Sequence, residues 1–196
     1  MTNLSLPAFT VLVLSGGQSS RMGRDKALLE LQGETLLART IRLGKTLGAQ
    51  QVLVSRNQPG FIQDQYQHAG PMAGIAAALP ACSCRWLLVL PVDMPLLTPQ
   101  ALAPLLTQTL ARQQAGFMRG FPLPVLLENH SALATALQAT LNATTASRAL
   151  HRLWQQLGLH ELHLPVPAAF QNCNDPAGFA AIAAQFNSAF DHRTSL

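Results

Sequence analysis

Charge is scarce in this sequence. Only 11% of its 196 residues are Asp, Glu, Lys or Arg, against 48% hydrophobic residues, and the mean hydropathy is +0.19. That balance excludes a disordered chain, which needs low hydropathy and high charge. Lysine is scarcer still: of thirteen Lys and Arg residues, Lys26 and Lys45 are the only lysines. The cations form no run or stripe, so the net charge of +4 suits small anionic ligands and argues against nucleic acid as a partner. The three cysteines, Cys82, Cys84 and Cys173, are an odd number with no basic, apolar leader before them; a secreted disulfide framework is not expected, and the reducing cytoplasm is. Long apolar runs are missing too. Residues 74–79 and 86–90 fall well short of the ~20 that cross a bilayer, so no membrane partner is expected. The length is somewhat above that of a typical domain of roughly 150 residues, which points to a single domain over 1–196.

Strand and helix patterns alternate along the chain. Residues 9–14 are a β-branched and apolar run stopping at Ser15-Gly16-Gly17, as a buried parallel strand feeding a loop would. Residues 35–47 have helical spacing with Gly48 as a stop, 51–55 read as a second strand, and 56–68 as loop. A short Ala-rich helix over 71–79 precedes a third, wholly apolar strand at 86–90. Thr98 and Pro99 form an N-cap and first-turn pair for a helix to about 114. Strands are expected at 115–118 and 124–127, the second placed at an edge or with an irregular start because of Pro122 and Pro124. Helices over 130–142, 147–157 and 176–185 and a strand over 161–166 complete an α/β layered domain with a mainly parallel sheet. In such sheets ligands sit at the carboxyl ends of the strands, where Gly16 and Asp93 both fall.

Two features there carry chemistry. The stretch from Leu14 through Ser15, Gly16 and Gly17 to Arg21, Gly23 and Lys26 offers bare backbone amides and cations, as a polyphosphate grip does. It contains neither a Walker loop nor G-x-G-x-x-G; the alternative is a plain strand-to-helix turn with surface cations. Asp93, one of nine carboxylates, closes the most apolar strand between Pro91 and Pro95. A carboxylate so placed suits Mg²⁺, which takes one or two carboxylates plus substrate phosphates, although an Asp before a proline also suits a simple turn. Cys82-Ser83-Cys84 has the wrong spacing for zinc or redox chemistry. His160 and His163 would point to opposite sides of a strand, and Trp86 and Trp154 suit the core.

Together, Leu14-Ser15-Gly16-Gly17, Arg21-Met22-Gly23, Asp25-Lys26, Gly70-Pro71-Met72-Ala73-Gly74, Val92-Asp93-Met94-Pro95 and Asn172-Cys173-Asn174-Asp175-Pro176 resemble the molybdenum cofactor guanylyltransferase (MobA) family over nearly the whole chain. The resemblance implies a Rossmann-like three-layer nucleotidyltransferase fold. It also implies Mg-dependent transfer of GMP from GTP to the terminal phosphate of molybdopterin, with release of pyrophosphate. By the same likeness Leu14, Ser15, Gly16 and Gly17 hold guanine and ribose, Arg21 and Lys26 the triphosphate, and Asp93 the Mg²⁺. Asn172 and Asn174 lie beside Asp93, with Asn174 a second metal or substrate contact; Gly74 belongs to the nucleotide side and Arg148 to the pterin phosphate. The expected partners are GTP and molybdopterin, with transient contact to other molybdenum cofactor enzymes by a monomer.

The sequence also departs from the family pattern. Ser55 stands where the family has Asn, Asp64 matches the family's acidic residue only across a gap, and Phe121-Pro122 replaces a His-Pro pair. Nucleotide binding is thus better supported than pterin binding. The alternatives are cytidylyl transfer, transfer to a sugar or polyol phosphate, and a nucleotide-binding relative with reduced catalysis; Gly16 favours a purine.

Overall fold

A computed structural model of the chain describes residues 7–16, 25–66, 69–143, 149–164 and 168–191. From the amino end, β1 (Phe9–Leu14) leads by way of a 3-10 turn at Lys26–Leu28 to a small hairpin, β2 (Glu30–Leu31) and β3 (Glu34–Thr35). Then come α1 (Leu36–Thr46), β4 (Gln51–Ser55), α2 (Pro71–Ala78), β5 (Trp86–Pro91), α3 (Pro99–Arg112), β6 (Gly116–Met118) and β7 (Phe121–Glu128). The chain continues through α4 (Ser131–Asn142), α5 (Leu150–Gln156), β8 (His160–Leu162) and α6 (Pro176–Asp191).

Six strands form one sheet in the order β4-β1-β5-β7-β6-β8. β1 pairs in parallel with both β4 and β5, and β6 with β8, while β7 alone runs antiparallel to its neighbours. Alternation along the strands divides the core into two layers. Leu12, Leu14, Leu87, Val89, Val125 and Leu127 face α2, α4 and α5. Val11, Val13, Leu88, Leu90 and Leu126 face α1 and α3. A third cluster joins Ala27, Leu31, Leu36, Val92 and Cys173 to Ile182 of α6, which fastens the turn after the glycine-rich stretch to the carboxyl end of the chain.

The expected helix starts at Thr35 and Thr98 hold: each hydroxyl accepts a hydrogen bond from the backbone N–H three residues on. Three readings are corrected. The β2–β3 hairpin went unread because two-residue strands carry no periodicity, although Gln32 and Gly33 mark its turn with positive φ. β7 is an interior strand rather than an edge; β5 pairs only with residues 125–128, so Pro122 and Pro124 fall where that ladder has ended, beside a register shift against β6. The last strand is shorter than 161–166 and ends at Leu162.

Gly116 lies where β6, β8 and α3 converge. A Cβ there would come within 2.7 Å of Thr109 Cγ2 and 2.8 Å of the His160 carbonyl oxygen. Gly116→Ala is expected to destabilise the fold by about 1–3 kcal/mol through overpacking. Gly178→Ala, whose nearest contact is an ordinary 3.4 Å, should be neutral or better; urea unfolding of the two variants checks the contrast.

Candidate active site

After β1 the chain crosses by α1 to β4 on one side, and after β4 it crosses by α2 to β5 on the other side of β1. The two crossovers lie on opposite faces of the sheet. The carboxyl ends of β1, β4 and β5 therefore border a crevice of the kind where open α/β sheets bind ligands. Backbone hydrogen bonds fix its floor: Ser15 N donates to Ser55 O at 3.0 Å and Val92 N to Leu14 O at 3.0 Å, so the residues after β1 are tied to both neighbouring strands. Because β7 is reversed, its amino end and the turn before it reach the same rim. The result is a cleft of about 590 Å³ whose lining includes Leu14, Ser15, Gly16, Lys26 and Asp93 on one side and Gly120, Phe121, Leu123 and His151 on the other.

Lys26 Nζ lies 3.6 Å from Asp93 Oδ2 and donates to Asn174 Oδ1 at 3.0 Å. Between the two asparagines, Cys173 N donates to the backbone oxygen of Asp93 at 2.7 Å, docking residues 172–174 against the end of β5. The Cys173 thiol is buried, and burial pushes its pKa up, so it acts as packing. Asn172 lines the cleft, and Asn174 reaches it through Lys26. Burial also raises the pKa of Asp93, with the Lys26 ammonium offsetting part of the rise.

Asp64, matched in the sequence only across a gap, does reach the cleft. Ser55 Oγ donates to its Oδ1 at 3.2 Å, Asn57 Nδ2 to its Oδ2 at 3.3 Å, and Asp64 N donates to Asn57 Oδ1 at 2.8 Å. Ser55, which replaces the family's Asn, thus holds a carboxylate at the rim. Gly74 serves close packing. A Cβ there would lie 2.5 Å from Ser55 Oγ and 2.9 Å from Leu14 Cδ2, so only glycine lets α2 press on the ends of β1 and β4. Gly16 differs: a Cβ would find nothing nearer than 3.9 Å, and the protein's own packing does not call for glycine. Gly17, Arg21 and Arg148 lie outside the described residues.

Sequence reasoning missed Arg56 and His151. Arg56 was hidden in a segment that reads as polar loop, yet its Nη2 lies 2.6 Å from Asp25 Oδ2 and its side chain is buried. His151 follows the Arg148 motif by less than a helical turn; its ring meets Phe117 edge-on with centroids 5.7 Å apart. His160 and His163 are paired separately with Arg112 and Arg119.

Of the carboxylates in the described lining, Asp25, Asp64 and Asp93, Asp25 is paired with Arg56 and Asp93 with Lys26, so a cation arriving with phosphates meets no excess of positive charge among these residues. The oxygens of Asp93 and Asn174 are hard donors that fit Mg²⁺. No group of three or more His, Cys, Asp or Glu that could hold a metal ion occurs among the described residues.

The raised pKa of Asp93 has a thermodynamic consequence. Its stability contribution is full below the unfolded-state pKa and is lost as pH rises through the higher folded-state pKa, so the ionised group is a cost at neutral pH. Asp93→Asn is expected to be more stable than the parent at pH 7, with the difference closing as pH falls through the aspartate range. Thermal melts of both proteins across that range check it.

A family model described as the MobA-like NTP transferase domain matches residues 11–159. A molybdenum cofactor guanylyltransferase from Xanthomonas euvesicatoria is 38% identical over 86% of this chain and 90% of its own length, and one from Shewanella frigidimarina is 32% identical over 91% and 97%. The crystal structure of molybdopterin-guanine dinucleotide biosynthesis protein A from Archaeoglobus fulgidus superposes with a TM-score of 0.71 at 22% identity, covering 92% of this chain and 99% of that one; at that identity it bears on the fold alone. No helix among the described residues is long and apolar enough to cross a membrane. The rim built by β1, β4 and β5, met by a family match across most of the chain, makes this protein a nucleotidyltransferase of the MobA-like NTP transferase family.

Proposed function

We propose that the chain transfers GMP from GTP to the terminal phosphate of molybdopterin, releasing pyrophosphate. The observation that carries this reading is the Lys26, Asp93 and Asn174 cluster at the carboxyl ends of β1 and β5. It combines one cation for phosphate with oxygen donors for a hard metal ion. The guanylyl assignment is supported by the names of relatives similar over most of the chain and by the room left at Gly16, where a purine can lie against bare backbone.

A phosphate monoester with a second pKa of about 6 is largely dianionic at neutral pH and needs no general base to act as a nucleophile. One acceptor oxygen forms a bond to the α-phosphorus of GTP as the bond from that phosphorus to the bridging oxygen of pyrophosphate breaks, and the electron pair leaves with pyrophosphate. The protein must hold two anions in line and offset the charge that moves to the leaving group. Lys26 does this from the end of the glycine-rich stretch, with Arg21 as the second cation for the triphosphate. Ser15 and Gly16 present backbone groups to the nucleoside, and Asp64, held by Ser55 and Asn57, offers an acceptor to it. Asp93 and Asn174 would hold Mg²⁺, which when bound neutralises and orients phosphate oxygens. On the far side Phe121, Leu123 and His151 form the wall for the acceptor, with Arg148 the expected contact for its phosphate.

Lys26→Ala is expected to slow turnover at least ~10²-fold, the scale of losing one oriented electrostatic group; a continuous pyrophosphate-release assay measures it. Near-parental turnover would remove Lys26 from the mechanism. For the nucleotide, GTP with Mg²⁺ at a hundred times its dissociation constant should add about 2.7 kcal/mol of stability, with CTP and UTP adding less at equal concentration. A larger thermal shift with CTP overturns the guanylyl assignment.

A further inference from the structure

Arg56 is the one buried charged residue among the described residues, with 5% of its side chain exposed. It stands just after β4, where its backbone N–H donates to Ile62 O. Its Nε donates to Gln58 Oε1 at 2.9 Å and its Nη2 to Asp25 Oδ2 at 2.6 Å. The third nitrogen, Nη1, is buried and has no hydrogen-bond partner among the described residues. As a device for stability this is poor. Burying a guanidinium carries a desolvation cost before pairing, an unmade hydrogen bond adds to it, and an apolar side chain of similar volume often does as well or better.

What the arrangement does fix is position. Asp25 uses both carboxylate oxygens: Oδ2 takes Arg56, and Oδ1 accepts from Ala27 N at 3.0 Å, capping the 3-10 turn that begins at Lys26. The backbone that carries Lys26 is thus anchored to the end of β4 through one charged pair, while the Lys26 side chain is drawn towards Asp93 and Asn174 along the same wall of the cleft. The guanidinium fork matters here, because a planar group tied at Gln58 presents Nη2 in one direction, which a flexible ammonium does not.

We infer that Arg56 is a positioning residue, which through Asp25 sets the direction in which Lys26 enters the cleft. Its effect on turnover rests on the proposed GMP transfer; its effect on Lys26 does not.

The scarcity of lysine gives a direct test, since Lys45 is exposed on α1 and serves as an internal control. The full chain, as parent, Arg56→Met, Arg56→Lys and Asp25→Asn, is treated with limiting acetic anhydride at a temperature where circular dichroism shows each folded, and acetylation at Lys26 and Lys45 is read by peptide mass spectrometry. The Lys26 to Lys45 ratio should rise severalfold in Arg56→Met and Asp25→Asn and part of the way in Arg56→Lys. Alongside, kcat should fall about 10- to 10²-fold, the scale of a misplaced group, with KM for GTP moving less. An unchanged ratio in folded variants that have merely lost thermal stability overturns the inference and leaves Arg56 a structural pin. Should Arg56→Met not fold, the ratio in Arg56→Lys and Asp25→Asn decides between the same two roles. A parent chain without turnover on GTP and molybdopterin would count against the proposed reaction, while the labelling ratio would still decide the role of Arg56.

Discussion

Phe9 pairs with Trp86, and the ladder continues residue by residue to Leu14 against Pro91; this register between two fully buried strands decides which loops meet. Slipping β1 by one residue would turn Val11 and Val13 away from α1 and α3 and set them against the other layer, so the two-layer core holds it firmly. Because the strands are parallel and end together, the residues after Leu14 and those after Pro91 emerge side by side. Lys26 and Asp93, distant in sequence, come within 3.6 Å as a result. The third cluster, from Ala27 and Leu31 to Cys173 and Ile182, completes the arrangement by drawing the carboxyl-terminal part of the chain under the same rim.

The polar groups at this rim are not there for stability. Lys26 and Asp93 are each about one-fifth to one-quarter exposed, and pairs of that kind contribute little in water, while the partial burial of Asp93 disfavours its charge. The fold tolerates a desolvated carboxylate because the ordered backbone around it, including the hydrogen bond from Cys173 N to its carbonyl oxygen, leaves it nowhere else to turn. A carboxylate with few solvent partners is correspondingly receptive to an added cation.

Much of this was legible in the sequence for identifiable reasons. β1 and β5 were readable because buried parallel strands are continuous apolar runs, β4 because three branched apolar residues stand between Gln51 and Ser55, and α1 and α3 because threonine caps announce them. Asp93 was readable because a carboxylate closing the most apolar strand has no packing purpose. Asp64 was less so, since its place depends on Ser55 and Asn57 folding back upon it. The interior position of β7 was obscured by Pro122 and Pro124, which mark its unpaired start and not its rank in the sheet. Arg56 was not legible at all: nothing in a polar stretch distinguishes a buried guanidinium from a solvated one, and only the approach of Asp25 from another segment gives it a role.

The single reversed strand leaves the two walls of the cleft with separate origins. One is made by the first half of the chain and its crossovers, with Asn172 added from the carboxyl-terminal part; the other is a hairpin bend at Gly120 and the opening turn of α5. Redrawing that bend would leave the opposite wall undisturbed, so an architecture of this type lends itself to exchanging the recipient molecule while the donor grip is inherited intact.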